Sequence, residues 1–206
     1  MLRTRVTLDA TKGARVGGGH APGKGRRATS EFPASWTDEQ IIAVIKDVAN
    51  DPSEPRVRMH NGRWRCAGER YGVHLIVLVE DNGHVKTGYP VAGPGVVRNP
   101  DTAADPANPT VADLAAGRIS FFGDSLLDQI ADRITPDVLA FYRTLHWSGE
   151  WEELADVLVA HAMKENLRLG VDEYATLESL LSSFDLPIDG FLYLNDRAHA
   201  LAALRP

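Results

Sequence analysis

One histidine lies in a segment of the sequence that is rich in glycine and basic residues. His20 follows the glycines at 17–19 and precedes the cations Lys24, Arg26 and Arg27. An accessible imidazole can take up or release a proton near neutral pH. Cleavage of RNA by its own 2′-hydroxyl needs a base for that proton and an acid for the leaving oxygen, and the three cations would bind the phosphate. The residues alone also fit an exposed histidine in an RNA-binding tail.

Two hydroxyl side chains lie close together in a later, extended segment. Thr87 and Tyr89 are two residues apart, so both side chains would project from the same face of a strand. Both hydroxyl groups could then form hydrogen bonds with one phosphate. His84 and Lys86 would then face the other side. Threonine and tyrosine are also common strand residues, so the spacing fits an ordinary strand equally well. The other histidines and the single cysteine, Cys66, lack metal-site spacing, and we expect no metal and no cofactor.

Helical and extended patterns in the first half define the elements that would position these residues. Thr37 and Gln40 form a capping-box pattern, and apolar residues then recur at helical spacing until Asp51 and Pro52. Three extended segments over 63–68, 73–79 and 84–90 are separated by turn residues and predict an antiparallel meander. The residues before Ser30 have the composition of a flexible basic loop. The first half is therefore predicted to be an α+β domain with one helix and three or four strands.

The second half has a different composition and periodicity. Residues 101–120 are predicted to be a linker, because the stretch 100–110 is rich in proline, alanine and aspartate. From 121 to 206 the apolar residues recur at helical spacing, with Thr135 and Pro136 as a helix start and glycines between the helices. An all-α small helical bundle is predicted there. No apolar run approaches the roughly 20 residues that span a bilayer, and we expect neither a membrane segment nor a signal peptide.

The net charge of the chain also changes sign near residue 100. Residues 1–100 contain 15 Lys/Arg and 10 Asp/Glu, whereas residues 101–206 contain 7 and 18, giving net charges of +5 and −11. This asymmetry favours a half that binds a polyanion beside a half that competes for the same surface. Two solvated domains that differ in charge by chance remain the alternative.

Several short motifs occur in the order in which bacterial EndoU endoribonucleases carry them. They are Gly-Gly-Gly-His at 17–20, Thr-Ser-Glu-Phe-Pro-Ala-Ser-Trp at 29–36, Asp-Val-Ala-Asn-Asp-Pro at 47–52, Gly-Tyr-Pro at 88–90 and Arg-Asn-Pro at 98–100. Residues 1–100 therefore resemble this family, whose domains are the toxic tips of contact-dependent and other polymorphic toxins. The resemblance implies a barnase-like fold and metal-independent cleavage of RNA, tRNA or another single-stranded RNA, to a 2′,3′-cyclic phosphate. It implies that His20, Thr87 and Tyr89 are catalytic.

The sequence departs from the family pattern at its N-terminus. Family members carry a second histidine upstream of the loop histidine, but no histidine precedes His20, and Thr4–Val6 occupies the corresponding place. The usual Pro-Gly-Lys before the Ser-Glu-Phe-Pro motif is also replaced, by the residues at 27–29. Loss of a general acid or base typically lowers the rate by about 10²–10⁴-fold. The alternative function is therefore a non-catalytic RNA-binding or interaction protein derived from a decayed nuclease.

The helical half resembles short immunity proteins of the MafI type. The resemblance lies in Ser-Leu-Leu-Asp at 125–128, Gly-Glu-Trp-Glu-Glu-Leu-Ala at 149–155 and Glu-Tyr at 173–174. It implies that the acidic half binds and blocks the basic half, in cis or in trans, and an unrelated helical adaptor is the alternative. The tethered form is expected in the cytoplasm, and the toxin half resembles the exported tip of a larger secreted toxin. We expect the inhibitor interface to contain Asp128, Asp132, Glu150, Glu152, Glu153, Trp147 and Trp151.

Overall fold

The computed structural model describes residues 11–12, 15–16, 19–103, 107 and 109–206. The chain separates into two compact units, Met1–Asn99 and Pro100–Pro206. Each unit is described by itself below. Thr4–Val6, the place of the family's upstream histidine, lies outside the described residues.

The first unit has a helix and short strands in the order β1 to β8. Four antiparallel strands form its main sheet in the order β4-β5-β6-β7, and two smaller pairs are β1-β2 and β3-β8. The stretch before Ser30, expected to be a loop, therefore also contains two paired two-residue strands. The elements are β1 (Thr11–Lys12), β2 (Arg15–Val16), β3 (Ser30–Glu31), α1 (Asp38–Asn50), β4 (Val57–Arg58), β5 (Trp64–Arg70), β6 (Val73–Val79), β7 (Val85–Ala92) and β8 (Val97–Arg98).

Helix α1 begins and ends where the sequence predicts. The Thr37 hydroxyl oxygen caps it by accepting a hydrogen bond from the backbone N–H of Gln40. The side-chain oxygen of Gln40 in turn accepts the backbone N–H of Thr37. These two bonds satisfy donors that have no partner within a helix. The C-cap is Asp51, directly before a proline. The apolar face of α1 packs on the sheet and buries Ile41, Val44, Ile45, Val48 and Ala49.

The main sheet presents one face to α1 and the other away from it. Gly88 of β7 faces the helix, because a Cβ atom added to it would lie 2.9 Å from Cγ1 of Ile45. Side chains alternate along a strand, so Thr87 and Tyr89 lie on the face away from α1. This arrangement confirms that the two hydroxyl residues share a face. Residues facing α1 from the other strands include Cys66, Leu75, Val77 and Val79.

The second unit consists of helices. Its elements are α2 (Val111–Gln129), a 3₁₀ turn (Ala131–Arg133), α3 (Pro136–Ser148), α4 (Trp151–Lys164), α5 (Val171–Ser182), α6 (Leu192–Asn195) and α7 (Arg197–Leu204). Helix α3 starts with Pro136 after the N-cap Thr135, as predicted. Helix α4 is central to the unit, because all its residues from Glu153 to Ala162 are buried. None of the described helices is both long and apolar enough to cross a bilayer.

The linker predicted over residues 101–120 differs from the structure. Helix α2 begins at Val111, because Thr110 and Asp113 form a capping box in which the Asp113 carboxylate accepts the Thr110 N–H at 3.0 Å. Asp101 also belongs to the helical unit, where its carboxylate accepts the hydroxyl hydrogen of Ser120. We call residues 100–110 the connector. It is about half as long as the predicted linker.

Candidate active site

His20 lies in the interior of the first unit, so the expectation of an accessible histidine is wrong. Only 8% of the residue is exposed. Its Nδ1 atom lies 2.6 Å from the backbone oxygen of Ser30, and its own backbone oxygen accepts the N–H of Phe32 at 2.8 Å. The basic loop therefore folds onto β3 and the residue after it.

The contact with Ser30 assigns the two ring nitrogens of His20 different roles. A carbonyl oxygen can only accept a hydrogen bond, so Nδ1 must carry the hydrogen in the 2.6 Å contact. In the neutral ring, Nε2 is then the nitrogen without a hydrogen. The bond from Nδ1 keeps the ring in one orientation.

The structure places Tyr89 against the ring of His20. The two ring centroids are 5.7 Å apart and the rings are inclined by 37°. Tyr89 is completely buried. Thr87 is half-buried and lies two residues away on the same face of β7. One face of the sheet therefore carries Thr87 and Tyr89, and His20 packs against Tyr89.

The three cations predicted to bind phosphate lie within seven residues of His20 in the sequence. They differ in solvent exposure. Lys24 and Arg26 are exposed, and Arg27 is half-buried. The Arg26 side chain crosses Gly19, since a Cβ atom on that glycine would lie 2.6 Å from Arg26 Nη1. Arg26 therefore brings a positive charge next to the residue that precedes His20.

Glu31 is a part of the site that the sequence analysis did not identify. Only 4% of Glu31 is exposed. It accepts the backbone N–H groups of Gly23 at 2.7 Å and Gly25 at 2.6 Å, and the side-chain amide of Asn99 at 2.7 Å. The only local signal is an acidic residue next to Phe32 in a buried strand. These glycine amides bind Glu31, so the nearby cations are the better candidates for binding phosphate.

Cys66 has no features of a nucleophile. Its thiol is buried beneath α1, and this burial raises the pKa of the thiol. A thiol of this kind stays protonated at neutral pH and is inert. Within the described part of the chain, no group of three histidine, cysteine, aspartate or glutamate residues is arranged to hold a metal ion.

The exposed acids of the helical unit are partly paired with cations of the same unit. Asp128 lies 2.7 Å from Arg143, and Asp132 lies 3.8 Å from Arg133. Exposed pairs of this kind contribute little to stability and rearrange easily. Both carboxylates therefore remain candidates for contact with a basic partner.

Of the other predicted interface residues, Glu153 must be withdrawn. Only 1% of Glu153 is exposed, because it lies on the buried side of the first turn of α4. A carboxylate at this depth cannot present its charge to a partner. The remaining members of the set are half-buried: Glu150, Glu152, Trp147 and Trp151.

Fold and site together define the first unit as an α+β unit in which a histidine of a basic loop is held through Nδ1 and packs against Tyr89 of an antiparallel sheet. Residues 9–92 match the family model of the bacterial EndoU nuclease. The match lies within the segment for which the sequence motifs indicated this family. It does not reach the helical unit, whose likeness to MafI-type proteins stays a prediction. No curated protein and no solved structure matches the chain.

Proposed function

We propose that the first unit is a metal-independent endoribonuclease toxin domain. The observation that carries this proposal is the state of His20. Within a segment that matches a nuclease family, its Nδ1 is held on the Ser30 backbone oxygen and its ring packs against Tyr89. Loop cations lie close to it along the chain, as a reaction at phosphate requires.

The reaction that fits these residues is transesterification. The 2′-oxygen of the substrate bonds to the adjacent phosphorus, the bond from phosphorus to the 5′-oxygen breaks, and a 2′,3′-cyclic phosphate and a 5′-hydroxyl result. The 2′-hydroxyl loses a proton and the 5′-oxygen gains one. The two oxygens lie on opposite sides of phosphorus in an in-line displacement. Nε2 of His20 therefore serves one of the two transfers, and a second proton carrier serves the other.

Thr87 and Tyr89 have different roles in this proposal. Thr87 is half-buried, so its hydroxyl can donate a hydrogen bond to a phosphate oxygen at the surface of the sheet. Tyr89 is completely buried and packs its ring against the ring of His20. Its main contribution is to hold the imidazole. Lys24, Arg26 and Arg27 offset the charge that develops on the phosphate.

A substrate with a single altered sugar tests this mechanism. An RNA oligonucleotide is compared with one that has a 2′-deoxy nucleotide at the cleaved position, both with and without a chelator. We expect cleavage of the RNA alone, unchanged by the chelator, with a cyclic phosphate at the new 3′ end. Cleavage of the deoxy substrate, or a 3′-monophosphate formed directly, would contradict the mechanism. Binding without any cleavage would support the alternative of a non-catalytic RNA-binding protein.

We further propose that the helical unit is an immunity-like inhibitor of the first unit. The two have net charges of +5 and −11, so they attract one another over the range that salt does not screen, about 8–10 Å. The exposed Asp128 and Asp132, with the half-buried Glu150, Glu152, Trp147 and Trp151, are the candidate contacts. They would compete with RNA phosphates for the basic loop, in cis in this chain or in trans between separate chains.

Cutting the connector tests this inhibition. A specific protease site is introduced into the connector, and cut and uncut chains are compared for RNA cleavage and for association of the two pieces at increasing salt. We expect the pieces to stay together at low salt and to separate with a gain of activity at high salt. No association at low salt would end the inhibitor proposal. Tight binding at every salt concentration would assign the interface to the tryptophans rather than to the acids.

The same proposal implies a cellular setting. The first unit would be the exported tip of a larger secreted toxin, and the tethered, inhibited form would be kept in the cytoplasm. Contact-dependent inhibition of neighbouring cells is the kind of process that such a toxin and its immunity protein serve. Expression of the first unit with and without the second, in growing cells, tests this setting by the difference in survival.

A further inference from the structure

The buried carboxylate of Glu31 joins the loop at Gly23 and Gly25 to Asn99, which lies 68 residues from Glu31 in the chain. Oε2 accepts the Gly23 N–H, and Oε1 accepts both the Gly25 N–H and the Asn99 side-chain amide, at 2.6–2.7 Å. A buried carboxylate is unfavourable unless donors of this kind surround it. Gly23 and Gly25 both have positive φ, 75° and 61°, and this backbone turns their two N–H groups toward the same carboxylate.

The same strand holds the loop at a second point. Ser30, directly before Glu31, accepts the Nδ1 hydrogen of His20, and Phe32, directly after it, donates its N–H to the His20 backbone oxygen. The loop from His20 to Gly25 is thus attached to three consecutive residues, the two of β3 and Phe32 directly after it. Release of Glu31 would free the half of the loop that follows the histidine.

Asn99 is bonded both to Glu31 and to Thr29, two residues before Glu31. Its backbone N–H donates to the Thr29 oxygen at 2.9 Å, and its side-chain amide reaches both Thr29 Oγ1 at 3.3 Å and Glu31. Asn99 is also the last residue of the first unit, directly before the connector. The last residue before the connector therefore takes part in holding the histidine loop.

We propose that Glu31, together with Asn99, is a positioning residue that fixes the His20 loop so that Nε2 meets the reacting oxygen. The inference rests on the proposed nuclease function. It assigns no contact between Glu31 and substrate. A misplacement of about 1 Å in a catalytic group lowers a rate by as much as about 10²-fold, so the effect of Glu31 on catalysis would be indirect but large.

Glu31→Gln is the main test. The amide of glutamine has one accepting oxygen and a donating NH₂ group, so at least one of the three donors loses its acceptor. In the full chain with a cut connector, we expect kcat to fall about 10–100-fold while KM for RNA changes little. Hydrogen exchange at Gly23 and Gly25 should accelerate, and the nitrogen NMR signals of the His20 ring should shift. Glu69→Gln, which removes the same charge from an exposed site on the sheet, is the control and should change none of these.

Asn99→Ala is the second variant, and it keeps the test decisive should Glu31→Gln fail to fold. It removes one donor and leaves the two glycine bonds, so a smaller loss of kcat and faster exchange at Gly25 than at Gly23 are expected. Wild-type kcat and exchange rates in the Glu31 variant, or in Asn99→Ala when the former does not fold, would overturn the inference. If the unsubstituted chain cleaves no RNA, faster exchange and shifted His20 signals in the variants would still support the positioning of the His20 loop by Glu31. The same result would refute the proposed nuclease function.

Discussion

Replacement of His20 by asparagine separates its structural role from its chemical role. The amide nitrogen of asparagine can take the place of Nδ1 and donate to the Ser30 oxygen, but nothing replaces Nε2. His20→Ala loses both groups and leaves the Ser30 oxygen buried without this donor, at about 1–3 kcal/mol. For a unit of this size, each kcal/mol shifts Tm by about 4–8 °C. The alanine variant should therefore melt clearly below the asparagine variant, although both should lose activity.

The expected loss of activity is about 10²–10⁴-fold for either variant, the usual contribution of one general acid or base. Initial rates on an RNA oligonucleotide, with the connector cut, and calorimetric melting measure the two effects. A substrate with sulfur in place of the 5′-oxygen then assigns the step, because a thiolate leaves without a proton. Rescue of His20→Asn by this substrate identifies His20 as the acid, and no rescue identifies it as the base. Activity within tenfold of wild type in His20→Asn would refute the catalytic assignment altogether.

Three further predictions concern packing, charge and pH. Gly88→Ala places a methyl group against the buried side chain of Ile45 and should lower stability by about 1–3 kcal/mol; an unchanged melting temperature would contradict this packing. Lys24→Gln should weaken RNA binding by a similar factor for every sequence and reduce the slope of log K against log salt by about 0.7, measured by fluorescence anisotropy; an equal slope would exclude a phosphate contact. Burial raises the pKa of Glu173, but the hydrogen bonds from Arg133 and the Gly170 N–H, together with the Arg133 charge, outweigh this and leave the pKa below its ordinary value. The ionised form therefore stabilises the fold above the unfolded pKa, and this stabilisation disappears as pH falls through the folded pKa. Glu173→Gln should destabilise by on the order of 1 kcal/mol at pH 7 and much less at pH 3 in urea unfolding, and equal effects at both would contradict the sign.

The local elements could be predicted because their signals lie within a few residues. The capping box of Thr37 and Gln40, the start of α3 at Pro136 and the β5–β7 strands were all evident from the sequence. Capping bonds and side-chain alternation depend on neighbours one to four positions away. The N-cap of α2 at Thr110 has the same kind of signal, but the surrounding proline and alanine residues suggested a linker.

Side-chain alternation alone does not predict the orientation of every residue in β7. Val85 and Gly88 both face α1 although they are three residues apart, because the pairing shifts between Leu78 and Val79 and leaves Lys86 as an extra residue. Simple alternation would place Val85 on the same face as Thr87. The position of a bulge is decided by the partner strand, which a single strand's sequence does not contain.

The sequence by itself determined the residue types of the site and the identity of its family motifs, since His20, Thr87 and Tyr89 could be named from composition, spacing and resemblance. Only the tertiary structure decided that His20 is buried, that its Nδ1 is bound and that Glu31 holds its loop. Asn99 lies 68 residues from Glu31 in the chain. Burial and hydrogen bonds over such separations exist only once β3 has paired with β8 and the loop has closed over the sheet, and no local preference of these residues specifies that pairing.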